Sequence, residues 1–176
     1  MTYKNGDVYE GEYLSFNQGE EMRHGRGTLT EGNSKDIYEG DWKYDKKHGY
    51  GKKTFQDGQV REGSWLDEKL HGSSCKIISA DGDIYEGEVC NDKMNGQGKF
   101  IFKDTGDTYE GSFKLDMKDG QGTYHWRNSG DIYEGAWKDD KKHGHGALTF
   151  KNVKVITGEW HDGKLSLANG MMVTYL

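Results

Sequence analysis

A Glu-Gly dipeptide returns along this chain at an almost constant interval, and that regularity limits the fold more than any other feature. The anchor glycines are Gly11, Gly40, Gly63, Gly87, Gly111, Gly135 and Gly158, so successive spacings are 29, 23, 24, 24, 24 and 23 residues. Two residues before each anchor stand Tyr9, Tyr38, Arg61, Tyr85, Tyr109, Tyr133 and Ile156; two after stand Tyr13, Trp42, Trp65, Val89, Phe113, Trp137 and Trp160. Strand side chains alternate between faces, so aromatic, x, Gly, x, aromatic puts both rings and the glycine on one side. Glu10, Glu39, Glu62, Glu86, Glu110 and Glu134 fall on the other, wet side.

Nine residues after most anchors a second glycine pair begins a returning strand, as in His48-Gly49-Tyr50-Gly51, Asn95-Gly96-Gln97-Gly98 and His143-Gly144-His145-Gly146. Its alternate positions run Gly, Gly, apolar, apolar: Gly96, Gly98, Phe100, Phe102, then Gly120, Gly122, Tyr124, Trp126. Turn signals at Asp57-Gly58, Asp81-Gly82 and Thr105-Gly106 close each unit. Each repeat therefore reads as one hairpin, with boundaries near 6-35, 36-58, 59-82, 83-106, 107-130, 131-152 and 153-176. Glycine inside a strand ordinarily weakens it, so a reason is needed. A ring from one strand lying across the bare backbone of its neighbour supplies one.

Composition fits this reading better than a two-layer globule. Only 32% of residues are hydrophobic and 31% are charged, too few apolar residues for a thick core. Eleven Tyr, six Phe and five Trp, with 27 Gly and no Pro, match neither a flexible nor a polyproline linker.

These residues resemble the MORN repeat (membrane occupation and recognition nexus) family, whose motif is close to YEGxWxxGxxHGxGxxxxxxG, over nearly the whole chain. The resemblance implies an all-β fold: an elongated, curved and twisted single antiparallel sheet of about seven stacked β-hairpins, with a concave face lined by glycine and aromatic residues. It also implies a non-catalytic scaffold or adaptor at cytoskeletal, ciliary or membrane-associated assemblies, whose groove receives a partner protein, in some members a helical segment.

Three repeats depart from the pattern. The first carries five extra residues within Ser15–Arg23, with Phe16 and Met22 expected at the surface. The third has Arg61 in the tyrosine column and Ser74 in place of the second glycine, so the groove should be narrower and more polar there; this reads as simple degeneracy of the repeat or, alternatively, as an Arg61 that stacks on Tyr38 or Tyr85 and meets an acidic partner residue. The last loses the HGxG element and ends in Leu165-Ser166-Leu167-Ala168-Asn169-Gly170-Met171-Met172-Val173, which reads as a cap or as an edge that pairs with a second copy.

Catalytic and cofactor signals are weak. No GxG completes a GxGxxG between strand and helix, and GxxxxGK[ST] is absent, so no cofactor is expected. His24, His48, His71 and His143 recur at one repeat position, but successive hairpins place them ~9 to 10 Å apart, too far to share one ion. A backbone-tolerant role near a turn is the better reading, since Asn95 and Asp119 fill the same slot. His143 and His145, near Asp139 and Asp140, form the only local ligand cluster, and Lys141 and Lys142 oppose it; no metal is expected. Cys75 and Cys90 read as outer-face residues on neighbouring strands, reduced in the cytoplasm although a cross-strand bridge is conceivable under oxidation.

The net charge of −6 argues against nucleic acid. It also opposes a phospholipid surface, which the basic tips Lys46-Lys47-His48 and Lys141-Lys142-His143 nevertheless suggest. No stretch approaches a membrane span, and residues Met1 to Asn17 lack a signal-peptide core, so a cytoplasmic location is expected. The sequence thus points to a partner-binding groove built from Tyr38, Trp42, Arg61, Trp65, Tyr85, Tyr109, Phe113, Tyr133, Trp137 and Trp160, most regular in repeats four to six. The alternatives are a lipid-binding or membrane-tethering module and the targeting region of a larger enzyme.

Overall fold

The computed structural model describes residues 1–16, 19–151, 154–166 and 172–174. Among them are sixteen strands: β1 (Val8–Ser15), β2 (Glu21–Thr30), β3 (Ile37–Lys43), β4 (Lys46–Thr54), β5 (Val60–Leu66), β6 (Lys69–Leu70), β7 (Gly72–Ile78), β8 (Ile84–Cys90), β9 (Lys93–Ile101), β10 (Thr108–Lys114), β11 (Met117–His125), β12 (Ile132–Lys138), β13 (Lys141–Thr149), β14 (Val155–His161), β15 (Lys164–Ser166) and β16 (Met172–Thr174). They form a single antiparallel sheet whose order follows the chain, with β6 beside β5. The described residues contain no helix. The chain divides into two compact units, Met1–Gly82 with Glu88–Asp92 and Asp83–Gly87 with Lys93–Leu176.

Hairpins two to six are each closed by two residues that both have positive φ: Tyr44 (49°) and Asp45 (65°), Asp67 (46°) and Glu68 (77°), Asn91 (50°) and Asp92 (67°), Leu115 (50°) and Asp116 (72°), Asp139 (47°) and Asp140 (67°). This is the tight turn whose twist matches that of paired strands. Directly after the anchor glycine the register shifts by a bulge, between Gly40 and Trp42, Gly111 and Phe113, and Gly135 and Trp137. The partner strand answers at Gly49 (φ 62°) and Gly144 (φ 61°), a backbone state costly for any residue with a Cβ. The first glycine of the GxG pair is thus required by conformation and the second by space.

That space is taken by tyrosine. A Cβ at Gly27, Gly51, Gly98, Gly122 or Gly146 would collide with the ring of Tyr9, Tyr38, Tyr85, Tyr109 or Tyr133 respectively. Four of these rings turn their hydroxyl to the residue after the anchor glycine. Tyr9 donates to the Glu12 carbonyl (2.7 Å), Tyr38 to Asp41 (3.1 Å), Tyr109 to Ser112 (3.0 Å) and Tyr133 to Ala136 (3.0 Å). The tryptophans reach the other way. Trp42, Trp65, Trp137 and Trp160 donate their indole N–H to the carbonyls of Gly27, Gly51, Gly122 and Gly146 in the preceding hairpin, at 2.9 to 3.3 Å.

Edge-to-face ring pairs run along each unit as a result. In the first, Tyr9 meets Trp42 and Tyr38 meets both Trp42 and Trp65; in the second, Tyr85 meets Phe113, Tyr109 meets Phe113 and Trp137, and Tyr133 meets Trp137 and Trp160, all at 5.1 to 5.5 Å. Each such pair stabilises by ~0.5–1.5 kcal/mol beyond area burial. A one-layer fold thereby obtains a core from rings laid on bare backbone.

Carboxylates brace the backbone along both margins. At the turns, Asp45, Glu68, Asp92, Asp116 and Asp140 accept the backbone N–H of Arg23, Lys47, Leu70, Met94 and Lys118 in the hairpin before (2.6 to 3.1 Å). At the opposite margin, Asp7, Asp36, Asp83, Asp107 and Asp131, at the start of a repeat, accept the N–H of Gly32, Gln56, Lys103, Arg127 and Lys151 in the turn that follows the same hairpin (2.8 to 3.1 Å). Much of the acidic surplus is therefore structural wiring.

The third repeat slips by one residue. Glu62 pairs with Lys76 and Arg61 with Ile77, so Cys75, not Ser74, lies opposite Gly63. The slip has a physical cause: Arg61 carries no ring that must lie on bare backbone, so the glycine is dispensable. Cys75 fills the space instead and is 3% exposed, which moves it from the expected outer face to the inner one. In the first repeat Phe16 is exposed, while Asn17 and Gln18 lie outside the described residues. In the last, Leu165 packs on Gly158 and β15 pairs with β16; Leu167 to Met171 of the expected cap lie outside the described residues.

Candidate partner-binding face

Within each unit the residues singled out as a groove are brought to one face, and most of them are its floor. Tyr38, Trp42, Trp65, Tyr85, Tyr109, Phe113, Tyr133, Trp137 and Trp160 are all buried, none more than 6% exposed. Burial raises the phenol pKa of Tyr133 to about 12, and it raises those of Tyr38 and Tyr109 further. Arg61 remains half-buried; it pairs with Asp92 (3.2 Å) and lies over Phe55 (5.4 Å), so its acidic partner and its aromatic partner both come from its own unit.

What covers the floor is a column that the sequence reading passed over: Arg23, Lys47, Leu70, Met94, Lys118, Lys142 and Leu165, one per hairpin. The cationic members lie across the rings. The Arg23 guanidinium sits 4.2 Å from the Trp42 ring, and Lys142 Nζ lies 4.8 Å from Trp160 and 5.2 Å from Trp126. Lys118 Nζ stands among four rings, Phe102, Tyr109, Tyr124 and Trp137, at 5.1 to 5.8 Å. Burial lowers the pKa of Lys118 and of Lys142, with Asp140 opposing the shift at Lys118. A residue read as polar by type thus serves as an aliphatic and cation–π lid. Its signal was available in the constant offset of seven residues from the anchor in repeats two to seven.

Beyond this lid, in the second unit, the returning strands leave rings half-exposed. Phe100 and Phe102 (4.7 Å between centroids), Tyr124 and Trp126 (4.5 Å), and the diagonal Phe102 to Tyr124 (5.8 Å) form a continuous tilted ridge. Tyr124 is fixed by donating to Asp107 (3.1 Å). Beside the ridge opens a cavity of about 310 Å³ lined by Met94, Phe100, Phe102, Tyr109, Phe113 and Lys118, with Asp116 and Asp140 at its rim. Such a pocket, apolar with a few placed charges, suits one or two partner side chains.

Elsewhere the chemistry is structural. The rings of His24, His48, His71 and His143 are half-buried with Nδ1 enclosed and unbonded among the described residues. The unusual backbone sits at the turn pairs and glycines rather than at these histidines. No group of acidic, His and Cys side chains among the described residues is arranged to hold a metal. Both cysteines are free thiols. The expected basic tips are largely spent: Lys47 and Lys142 are buried, Lys46 pairs with Asp67 (3.5 Å) and Lys141 with Asp162 (4.0 Å). No described helix is long and apolar enough to cross a membrane.

Comparison with known proteins agrees with this geometry. The family model for the MORN repeat matches residues 38–60, 85–106, 109–130 and 133–152. MORN repeat-containing protein 3 of Xenopus laevis is 39% identical over 82 residues, covering 43% of this chain and 32% of that protein. Alsin of Homo sapiens is 36% identical over 79 residues, 41% of this chain but 4% of Alsin. The chain thus corresponds to about a third of one relative and to a small region of the other. Among solved structures, the SAS-4 TCP domain of Drosophila melanogaster, in complex with a proline-rich motif of Ana2, superposes with TM-score 0.50 at 10% identity, over 92% of this chain and 86% of that one. That likeness is one of fold.

Proposed function

The chain belongs to the MORN-repeat family, and on that premise we propose that it is a non-catalytic cytoplasmic scaffold that captures a partner protein on the aromatic face of its second unit. The observation that carries the reading is the ridge Phe100, Phe102, Tyr124 and Trp126 beside the cavity floored by Tyr109 and Phe113. Contiguous exposed rings on a rigid floor are what interfaces use as anchors. The buried Tyr and Trp columns act through this ridge by holding it in place. The complex of the TCP domain with a motif of another protein is consistent with an open sheet of this kind receiving a peptide.

The test is capture from native lysate by the full chain and by a Phe102→Ser, Trp126→Ser double variant. Capture of a specific protein should be lost while the unfolding midpoint falls much less than for Trp137→Ala, a buried ring whose removal costs about 3–5 kcal/mol. Equal capture by the variant sinks this reading. The match to a short region of Alsin favours one further possibility within it, that the array serves as a docking module of a longer protein.

A further inference from the structure

We propose that the segment received by the ridge is in the polyproline II conformation, its prolines seated against successive hairpins. The inference rests on the reading of the ridge as a docking face and names the chemistry of what docks there.

Three observations converge on it. The first is periodicity. Phe102 and Trp126 occupy equivalent positions in consecutive hairpins, as do Phe100 and Tyr124. Consecutive hairpins in one sheet are two strands apart, ~9.4–9.8 Å. A polyproline II helix repeats every three residues, ~9.3 Å, so residues i and i+3 meet successive ring pairs in register. A seven-residue helical repeat advances ~10.5 Å and drifts away from the hairpins, and a helix is ~10–12 Å wide. The second observation is relief. The ridge is one ring deep, with centroids 4.5 to 5.8 Å apart, and the adjoining cavity holds about 310 Å³. Clefts of that size between tilted rings take a flat pyrrolidine edge, not a helix. The third is hydrogen-bonding complementarity. Trp126 is half-exposed and its indole N–H makes no hydrogen bond among the described residues, unlike those of Trp42, Trp65, Trp137 and Trp160, which all donate to backbone carbonyls. A polyproline II backbone has no internal hydrogen bonds and presents carbonyls to such a donor. Its preformed shape also lowers the entropy lost on docking.

The experiment titrates the full chain with an oligoproline of about 12 residues, four turns of the helix, and separately with a length-matched alanine-rich helical peptide. Binding is followed by tryptophan emission and by the side-chain indole NMR signals. Oligoproline should shift the Trp126 signal and leave that of Trp42 in place. Trp126→Ala should weaken binding at least tenfold, and Trp126→Phe, which keeps a ring but loses the donor, by roughly threefold. Preferential binding of the helical peptide, unchanged oligoproline affinity in Trp126→Ala, or no shift at Trp126 with either peptide would each overturn the proposal. Loss of lysate capture in the ridge double variant would still leave the docking face standing, so the two readings fail separately.

Discussion

A methyl group added at Gly122 would occupy space held by the Tyr109 ring, and the neighbouring ring contacts with Phe113 and Trp137 leave that ring nowhere to go. Gly122→Ala should therefore destabilise by about 1–3 kcal/mol, the usual range for overpacking. Tyr109→Phe keeps the ring and loses only the bond to the Ser112 carbonyl, so it should cost about 1 kcal/mol. Chemical denaturation of both variants checks the order; a Gly122→Ala protein as stable as wild type would contradict ring-on-backbone packing. The need for glycine was legible in the spacing, because a Gly two residues from an aromatic places both on one face. That Cys75 can replace glycine where Arg61 replaces tyrosine was not legible, since it depends on a one-residue slip that only pairing reveals.

Hairpins without glycine in their turns raise the question of what holds two residues at positive φ. At Leu115-Asp116 the answer is the Asp116 carboxylate, which accepts the Met94 N–H at 2.8 Å, while its own N–H donates to the Met94 carbonyl at 3.0 Å. Asp116→Asn should be close to neutral, keeping an acceptor and tolerance of this backbone. Asp116→Gly loses the acceptor alone, about 1 kcal/mol, whereas Asp116→Ala also adds the ~1–2 kcal/mol cost of the left-handed state. Thermal unfolding of the three variants should rank Asn, Gly, Ala; Ala equal to Asn would remove the wiring role. The turns between repeats, such as Asp57-Gly58, were readable because they contain glycine. Those within repeats were not, because they are held by bonds from the turn's own residues to the backbone of a neighbouring hairpin. The lysine column was hidden for a related reason: charge marks a residue as wet by default, and only packing shows Lys118 lying among rings.

Across the whole molecule the same rings set the response to alkali. Burial raises the pKa of Tyr9 and Tyr133 to about 12 and raises those of Tyr38, Tyr109 and Tyr124, the last with help from Asp107. A folded pKa above the unfolded value of ~10 means that the native state holds the proton longer, so the stability from these groups is complete below pH ~10. It is lost as pH rises from there towards 12. Phenolate absorbance should therefore show an exposed class titrating before unfolding and a buried class appearing only with loss of the strand signal. All tyrosines titrating together on a folded sheet would contradict the burial of this column.

Repetition made the architecture readable in advance, because each hairpin solves the same packing problem with the same residues. The proposed docking face was less readable, since the residues that define the motif are the ones the fold buries, and the half-exposed rings are at positions such as Phe102 and Trp126 that vary between repeats. Photo-crosslinking in cells tests this division most directly. A benzophenone amino acid at position 126 should join the chain to a partner protein, whereas the same group at position 110, on the glutamate face, should not. Crosslinks from position 110 with none from position 126 would contradict the account.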